Sequence, residues 1–225
     1  MPLNISKLGK VLKTLNRLEG IKEFNATLPV KIEVKKEINP IRYLIKLGNR
    51  ELETKSSVPL KPGKKYFAEI KEHNAKIQIS NLKPIPKLLE ILEKIDFHKK
   101  LTQFNKKEIL TKLANSDSKT EFIFYTNMLM AYHEKIYHFI INEKKKALLQ
   151  YKYSKKRVKF YAVFNHLGEI EGEITDISLT LYSPYNATLL LIKTYENELD
   201  LNLILIKKEV NPIYGFSENL LNLKA

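Results

Sequence analysis

The chain has 225 residues, of which 44% are hydrophobic, and its 39 lysines and arginines outnumber 25 aspartates and glutamates for a formal net charge of +14. That length holds one large domain or two small ones, and the apolar fraction is enough to form real cores, which excludes a disordered tail. Cysteine and tryptophan are absent, so disulfides, thiolate metal sites and cysteine nucleophiles are excluded and the core must be made from Leu, Ile, Phe and Tyr. No run of about 18 uncharged apolar residues occurs, and the N-terminus lacks an apolar signal core followed by a small-residue cleavage site. The expectation is therefore a cytoplasmic protein without an integral membrane segment, unless a signal-less export machine takes it.

The charge is unevenly spread. Residues 1–85 carry 18 Lys or Arg against 8 Asp or Glu, residues 86–150 carry 12 against 8, and the remainder is balanced at 9 against 9. A polyanionic partner for the first part and a simple lysine-rich solvated surface explain this equally well.

In chain order, residues 1–25 read as an amphipathic helix. Ile5, Leu8, Val11, Leu12, Leu15 and Leu18 recur at spacings of three and four, while Lys7, Lys10, Lys13 and Arg17 fall largely on the other face. Docking on the protein's own core is the favoured reading, ahead of a membrane surface or an export apparatus.

Residues 26–83 switch to a period of two. Leu28, Val30, Ile32 and Val34 alternate with polar residues, and YLIKL, KYFAEI and AKIQIS follow, separated by Gly48-Asn49 and Pro62-Gly63. The first pair suits a tight hairpin and the second the centre of a type II turn. Short strands with short turns predict a small antiparallel β-barrel of the OB or SH3 type.

Pro84 and Pro86 interrupt the strand pattern, because proline lacks a backbone donor and disfavours helix in the residue before it. A domain boundary is placed there, followed by a helical connector over 84–118. Leu88, Leu89, Leu92 and Ile95 have helical spacing that Phe97, Leu101 and Phe104 extend, and a second helix covers Lys106 to Leu113. Residues 119–225 form an α+β domain with a mixed or antiparallel sheet and one packing helix. Its first run, EFIFYTNMLM, fits a buried strand or a short helix. KIYHFII and ALLQYKY are strands, the latter with one wet face. They lead to a strand from Val158, the segment DISLTLYS, a helix that Pro184 can start, a final strand LILI and a peripheral tail from Val210.

Few residues suggest chemistry. The histidines, His73, His98, His133, His138 and His166, lack metal-site spacing, and no glycine-rich phosphate loop or nucleophile elbow is present. No metal, cofactor or catalytic residue is assigned, and the expectation is a protein that is not an enzyme. Glu169, Glu171 and Glu173 alternate with Ile170, Gly172 and Ile174, as on a strand with one solvated side. For nucleic acid, the candidate residues are Arg42, Tyr43, Lys64, Lys65 and Tyr66 of the barrel, since aromatics stack bases while cations follow phosphates. The competing reading is that Tyr66 and Phe67, being adjacent, cannot both face outward and that the aromatics fill a small core.

The stretch VKFYAVFNHLGEIEGEI, with its Leu167-Gly168 turn, then DISLTLYS, a helix-length segment and LILI, resembles the C-terminal domain of the flagellar hook-length control protein family. That domain has an extended segment entering a Leu-Gly turn, a second and a third strand, and a helix packing back on the sheet. The resemblance implies a chain that binds the cytoplasmic domain of the flagellar export gate protein and switches substrate preference. It also implies export through the type III apparatus by an N-terminal signal. Val163, Leu167, Gly168 and Ile170 are the partner-binding residues carried over. Family members also carry a long Gln, Ser and Pro-rich region that measures the hook, and a Gln-rich tail; neither occurs here, so a switching or associated role is the expectation. The alternative is nucleic-acid binding by the basic barrel.

Overall fold

The computed structural model describes residues 3–21, 28–73, 76–97, 101–142 and 146–217, with backbone alone at 3–5, 71–73, 76–78 and 101–102. Two sheets and five α-helices among the described residues make a mixed α+β fold. Among the described residues no helix is long and apolar enough to cross a membrane.

Helix α1 (Leu3–Leu18) buries Leu8, Val11, Leu12, Leu15 and Leu18 in the core of the large sheet. Five such side chains stabilise the docked helix by roughly 1.5–3 kcal/mol each. Its cations are held at the helix surface: Lys10 meets Asp200 at 3.0 Å, Arg17 meets Glu198, and Lys7 Nζ donates to the Asp176 carbonyl at 2.5 Å. The basic face is thus largely answered within the chain.

Strands β1 (Val30–Asn39), β2 (Arg42–Leu47), β3 (Arg50–Lys55), β4 (Lys65–His73) and β5 (Lys76–Pro84) form an antiparallel sheet in the order β3-β2-β1-β4-β5. Gly48, at φ 58°, closes the β2–β3 hairpin, and Gly63, at φ 77°, turns the chain into β4. Register shifts after Val34 and after Glu37 bulge β1, which bends the sheet around Ile32, Val34, Tyr43, Ile45, Leu60, Tyr66 and Ala68. The small barrel expected of the OB or SH3 type is not confirmed, since no closed barrel is found among the described residues. Its two edges, β3 and β5, approach without pairing, so the sheet stays open.

Helix α2 (Lys87–Lys94) buries Leu88, Leu89, Ile91 and Leu92 and stops where Ile95 turns extended at φ −101°, ψ 133°. The helical spacing of Phe97, Leu101 and Phe104 is therefore not continued. Strand β6 (Leu101–Gln103) pairs instead with β7, and ladder pairing overrides the local periodicity. Asn105 and Glu108 form a capping box for α3 (Lys106–Ala114), and Ser118 caps α4 (Lys119–His133). The run EFIFYTNMLM thus lies in α4, with Phe124, Tyr125, Asn127, Met128 and Ala131 inward.

The second sheet continues with β7 (Ile136–Asn142), β8 (Lys146–Ser154), β9 (Arg157–Val163), β10 (Glu169–Ile174), β11 (Ser178–Ser183), α5 (Asn186–Thr194) and β12 (Asn202–Lys207). Its order is β12-β11-β10-β9-β8-β7-β6, antiparallel except for β11–β12, whose parallel pairing is made possible by the α5 crossover. One face carries α1 and α5. The other packs against α2, α3, α4 and Phe67 of the small sheet. The expected wet face of β8 is wet only from Lys152 onward, because Leu148 and Gln150 lie under that second layer. The residues from Val210 are not peripheral either: Val210 is buried, and Ile213 and Phe216 pack on the same core. Residues 218–225, the end of the expected tail, lie outside the described residues.

Candidate functional site

The turn singled out in the sequence is built by a carboxylate. Asn165, His166 and Leu167 present three successive backbone N–H groups, and Glu19, just past the end of α1, accepts all three at 2.8–3.0 Å. Next, Gly168 takes φ 71°, and a Cβ there would sit 2.5 Å from the fully buried Tyr185 ring. The Thr188 hydroxyl of α5 donates to the Leu167 carbonyl at 2.8 Å. Glycine is required at 168 because backbone and ring approach one another here too closely for any side chain.

This construction relocates the expected partner-binding residues. Val163, Leu167 and Ile170 each have no exposed surface, and Gly168 is buried beneath Tyr185. None can touch a partner directly, and a charge at Val163 would break the core rather than a contact. The nucleic-acid set divides similarly. Arg42, Lys64 and Lys65 are exposed, but Tyr43 and Tyr66 face the inside of the small sheet. Tyr43 donates to the Pro40 carbonyl at 3.0 Å, and Tyr66 accepts from the Lys61 N–H at 3.1 Å. Phe67 points to the opposite face and is buried against Tyr185, with ring centroids 6.1 Å apart. No base can stack on these rings.

Where the small sheet meets the large one, a cleft of about 500 Å³ opens. Lys83 to Leu88 form one wall, the segment Glu209 to Phe216 the other, and Tyr161 of β9 and Glu169 of β10 the floor. Glu169 was expected on a solvated face with its neighbours in alternation. Only Glu171 and Glu173 are wet, the former 3.5 Å from Lys208 and the latter 3.0 Å from Arg157. Glu169 is buried, and Tyr161 Oη donates to it at 2.6 Å. Burial pushes its carboxyl above the usual range, against the Tyr161 hydrogen bond and the charge of Lys83. Burial also pushes the Lys83 ammonium down, although it is paired with Glu209. The Tyr185 phenol is pushed up by burial and by Glu169, and among the described residues its hydroxyl has no hydrogen-bond partner. The Glu169 carboxyl and the Tyr161 phenol thus share a partly desolvated floor beside the Lys83 amine, between walls that mix Pro84, Ile85, Leu88 and Val210 with Lys87 and Glu209, a setting for recognising a guest with both polar and apolar groups.

Sequence reasoning missed Glu19, Asn127 and Gln150. The one local signal was a polar residue inside an apolar run, Gln150 in ALLQYKY and Asn127 in EFIFYTNMLM. His138, buried on β7, accompanies Gln150, with 3.2 Å between His138 Nε2 and Gln150 Nε2. His133 is exposed and His98 lies outside the described residues. Among the described residues no three His, Asp or Glu side chains come together as a metal site. No protein-family model, curated protein or solved structure matches the chain.

Proposed function

We propose that this chain works by binding another protein, as a relative of the flagellar hook-length control family acting in type III export, and that it makes and breaks no bond. The observation that carries the reading is element order. Strand β9, the Leu167-Gly168 turn, β10, β11, α5 packed back on the sheet and then β12 follow as the resemblance implies. The contact with the export gate protein is assigned to the free edge of β12, because the residues first carried over are buried. On that edge Ile204 and Ile206 are 48% and 40% exposed, and Ile177, whose carbonyl accepts from Asn202 N–H at 3.0 Å, is 72% exposed. The edge is uncharged from Asn202 to Ile206 and carries a charge only at its last residue, Lys207, so an extended partner segment can pair with its first five residues.

The test is calorimetric binding of the full chain to the cytoplasmic domain of the gate protein at low and physiological salt. Saturable binding that Ile204→Lys weakens by about tenfold or more without moving the unfolding midpoint supports the reading. Absence of binding by the unsubstituted chain sinks it.

A second reading keeps one specific observation. The bulged five-stranded sheet stays open, and Arg42, Lys64 and Lys65 are exposed on it. With Tyr43 and Tyr66 buried, such binding would rest on phosphate contacts alone and fall steeply with salt. Oligonucleotide affinity unaffected by reversing Lys64 and Lys65 would refute it.

A further inference from the structure

The segment from Lys208 to Ser217 forms neither helix nor strand, yet it is held across the second face of the large sheet. Two fully buried carboxamides take the place of a ladder. Gln150 accepts from the Tyr214 N–H through Oε1 at 3.0 Å and donates Nε2 to the Tyr214 carbonyl at 2.9 Å. Asn127 repeats this on Ser217: Oδ1 accepts from its N–H at 3.0 Å, and Nδ2 donates to its carbonyl at 2.9 Å. Between the clamps, the Phe216 ring lies 5.5 Å from Phe124, 5.5 Å from His138 and 6.0 Å from Tyr214.

A side-chain amide that satisfies both backbone groups of one residue copies a β-pair and reads main chain rather than side chain. The demands on a guest follow: a backbone N–H and C=O presented together at two positions three residues apart, with a bend at the first, and an aromatic ring just before the second. Gly215 has open space around it, so the residue there is not selected.

We propose that Asn127, Gln150 and the pocket around Phe124 and His138 form a peptide-binding groove for a protein segment that carries an aromatic side chain at the Phe216 position and presents its main chain to the two carboxamides, a groove that the chain's own segment fills in the free protein. The own segment can exchange because releasing it breaks no strand ladder, and Asn211, Pro212, Gly215 and Ser217 are exposed. An empty groove is disfavoured, since both buried carboxamides would lose their backbone partners. The segment therefore leaves when a competitor replaces it. Exchange also removes one wall of the cleft over Glu169 and Tyr161 and the Lys83–Glu209 pair, so peptide binding would uncover the buried acid. The inference stands on these clamps and not on the export reading.

Two measurements on the full chain test it. Hydrogen exchange on the unsubstituted protein should show Tyr214 and Ser217 amides opening locally, with protection about a hundredfold or more below that of β9 amides. Equal protection would make the segment an integral part of the core and overturn the proposal. A fluorescent peptide of residues 208–217 should bind saturably to the chain carrying Phe216→Ala, and more weakly to the unsubstituted chain, whose tethered segment competes. Placing Phe216→Ala in the peptide, or Gln150→Leu in the protein, should cost about tenfold or more in affinity. Equal binding by the substituted peptide, or no saturable binding, would also overturn it. If the Phe216→Ala chain does not fold, the exchange result alone decides.

Discussion

Removing the Glu19 carboxylate tests whether the Leu-Gly turn is organised from α1. Glu19 is 7% exposed and takes four hydrogen bonds from three consecutive N–H groups: Asn165 at 2.8 Å, His166 at 2.9 Å to each oxygen, and Leu167 at 3.0 Å. Glu19→Ala deletes the acceptor and strands three donors. Leu167 is fully buried, whereas Asn165 and His166 are half-buried, so water can reach two of the three sites. With about 1.5–3 kcal/mol for a hydrogen bond to a charged group and about 1–3 for a buried donor left unpaired, the loss comes to about 3–5 kcal/mol. That is a large share of the roughly 5–15 kcal/mol that holds a domain folded. Glu19→Gln keeps the volume and one acceptor oxygen but loses the charge, and should cost about half as much. Urea unfolding followed by circular dichroism, with the m-value checked for constancy, measures both. A loss below about 1 kcal/mol for Glu19→Ala would refute the view that this carboxylate anchors the turn. Equal losses for the two variants would refute the role given to its charge.

Gly168→Ala should cost about 2–4 kcal/mol in thermal unfolding, combining the strain of a positive φ with displacement of Tyr185, whose ring atoms would lie 2.5 and 2.7 Å from the new Cβ. A variant within about 1 kcal/mol of the parent would contradict the close approach. His138 concerns pH: burial pushes its pKa from 6.5 down to about 3, so the unfolded chain binds a proton that the folded chain refuses. Stability should then fall as pH drops below 6.5 toward 3, by about 2 kcal/mol at pH 5. His138→Gln should remove that part of the slope, and an unchanged slope would count against the buried neutral imidazole. Its protonation in the folded chain would also turn the acceptor facing Gln150 Nε2 into a donor, so the clamp on Tyr214 should hold at pH 5 and loosen only as pH approaches 3. Amide exchange at Tyr214, followed from pH 5 to pH 3, checks this.

Much of the fold was legible because it follows from local periodicity. The spacing of Leu8, Val11, Leu12, Leu15 and Leu18 marked the buried face of α1, and Gly48 and Gly63 marked turns that need positive φ. The strands from Ile136 to Ile174 were readable from alternation and from the Leu167-Gly168 break. Periodicity failed where another element supplied the environment. Phe97, Leu101 and Phe104 have helical spacing, but the edge of β7 offers hydrogen bonds that draw Leu101–Gln103 into a strand. Gln150 looks like a wet-face residue until α4 and the 208–217 segment cover it.

The sequence by itself determined which apolar faces must leave water and where the chain must turn, since both depend on neighbours a few positions apart. Only the tertiary structure decided that the open small sheet packs through Phe67 on the large one, that Glu169 is buried while Glu171 and Glu173 are not, and that Glu19 meets Leu167 across 148 positions. A hydrophobic pattern states that a face is buried without stating against what. The partners of buried polar groups are chosen by the packing of distant elements, so the candidate sites came into view with the fold.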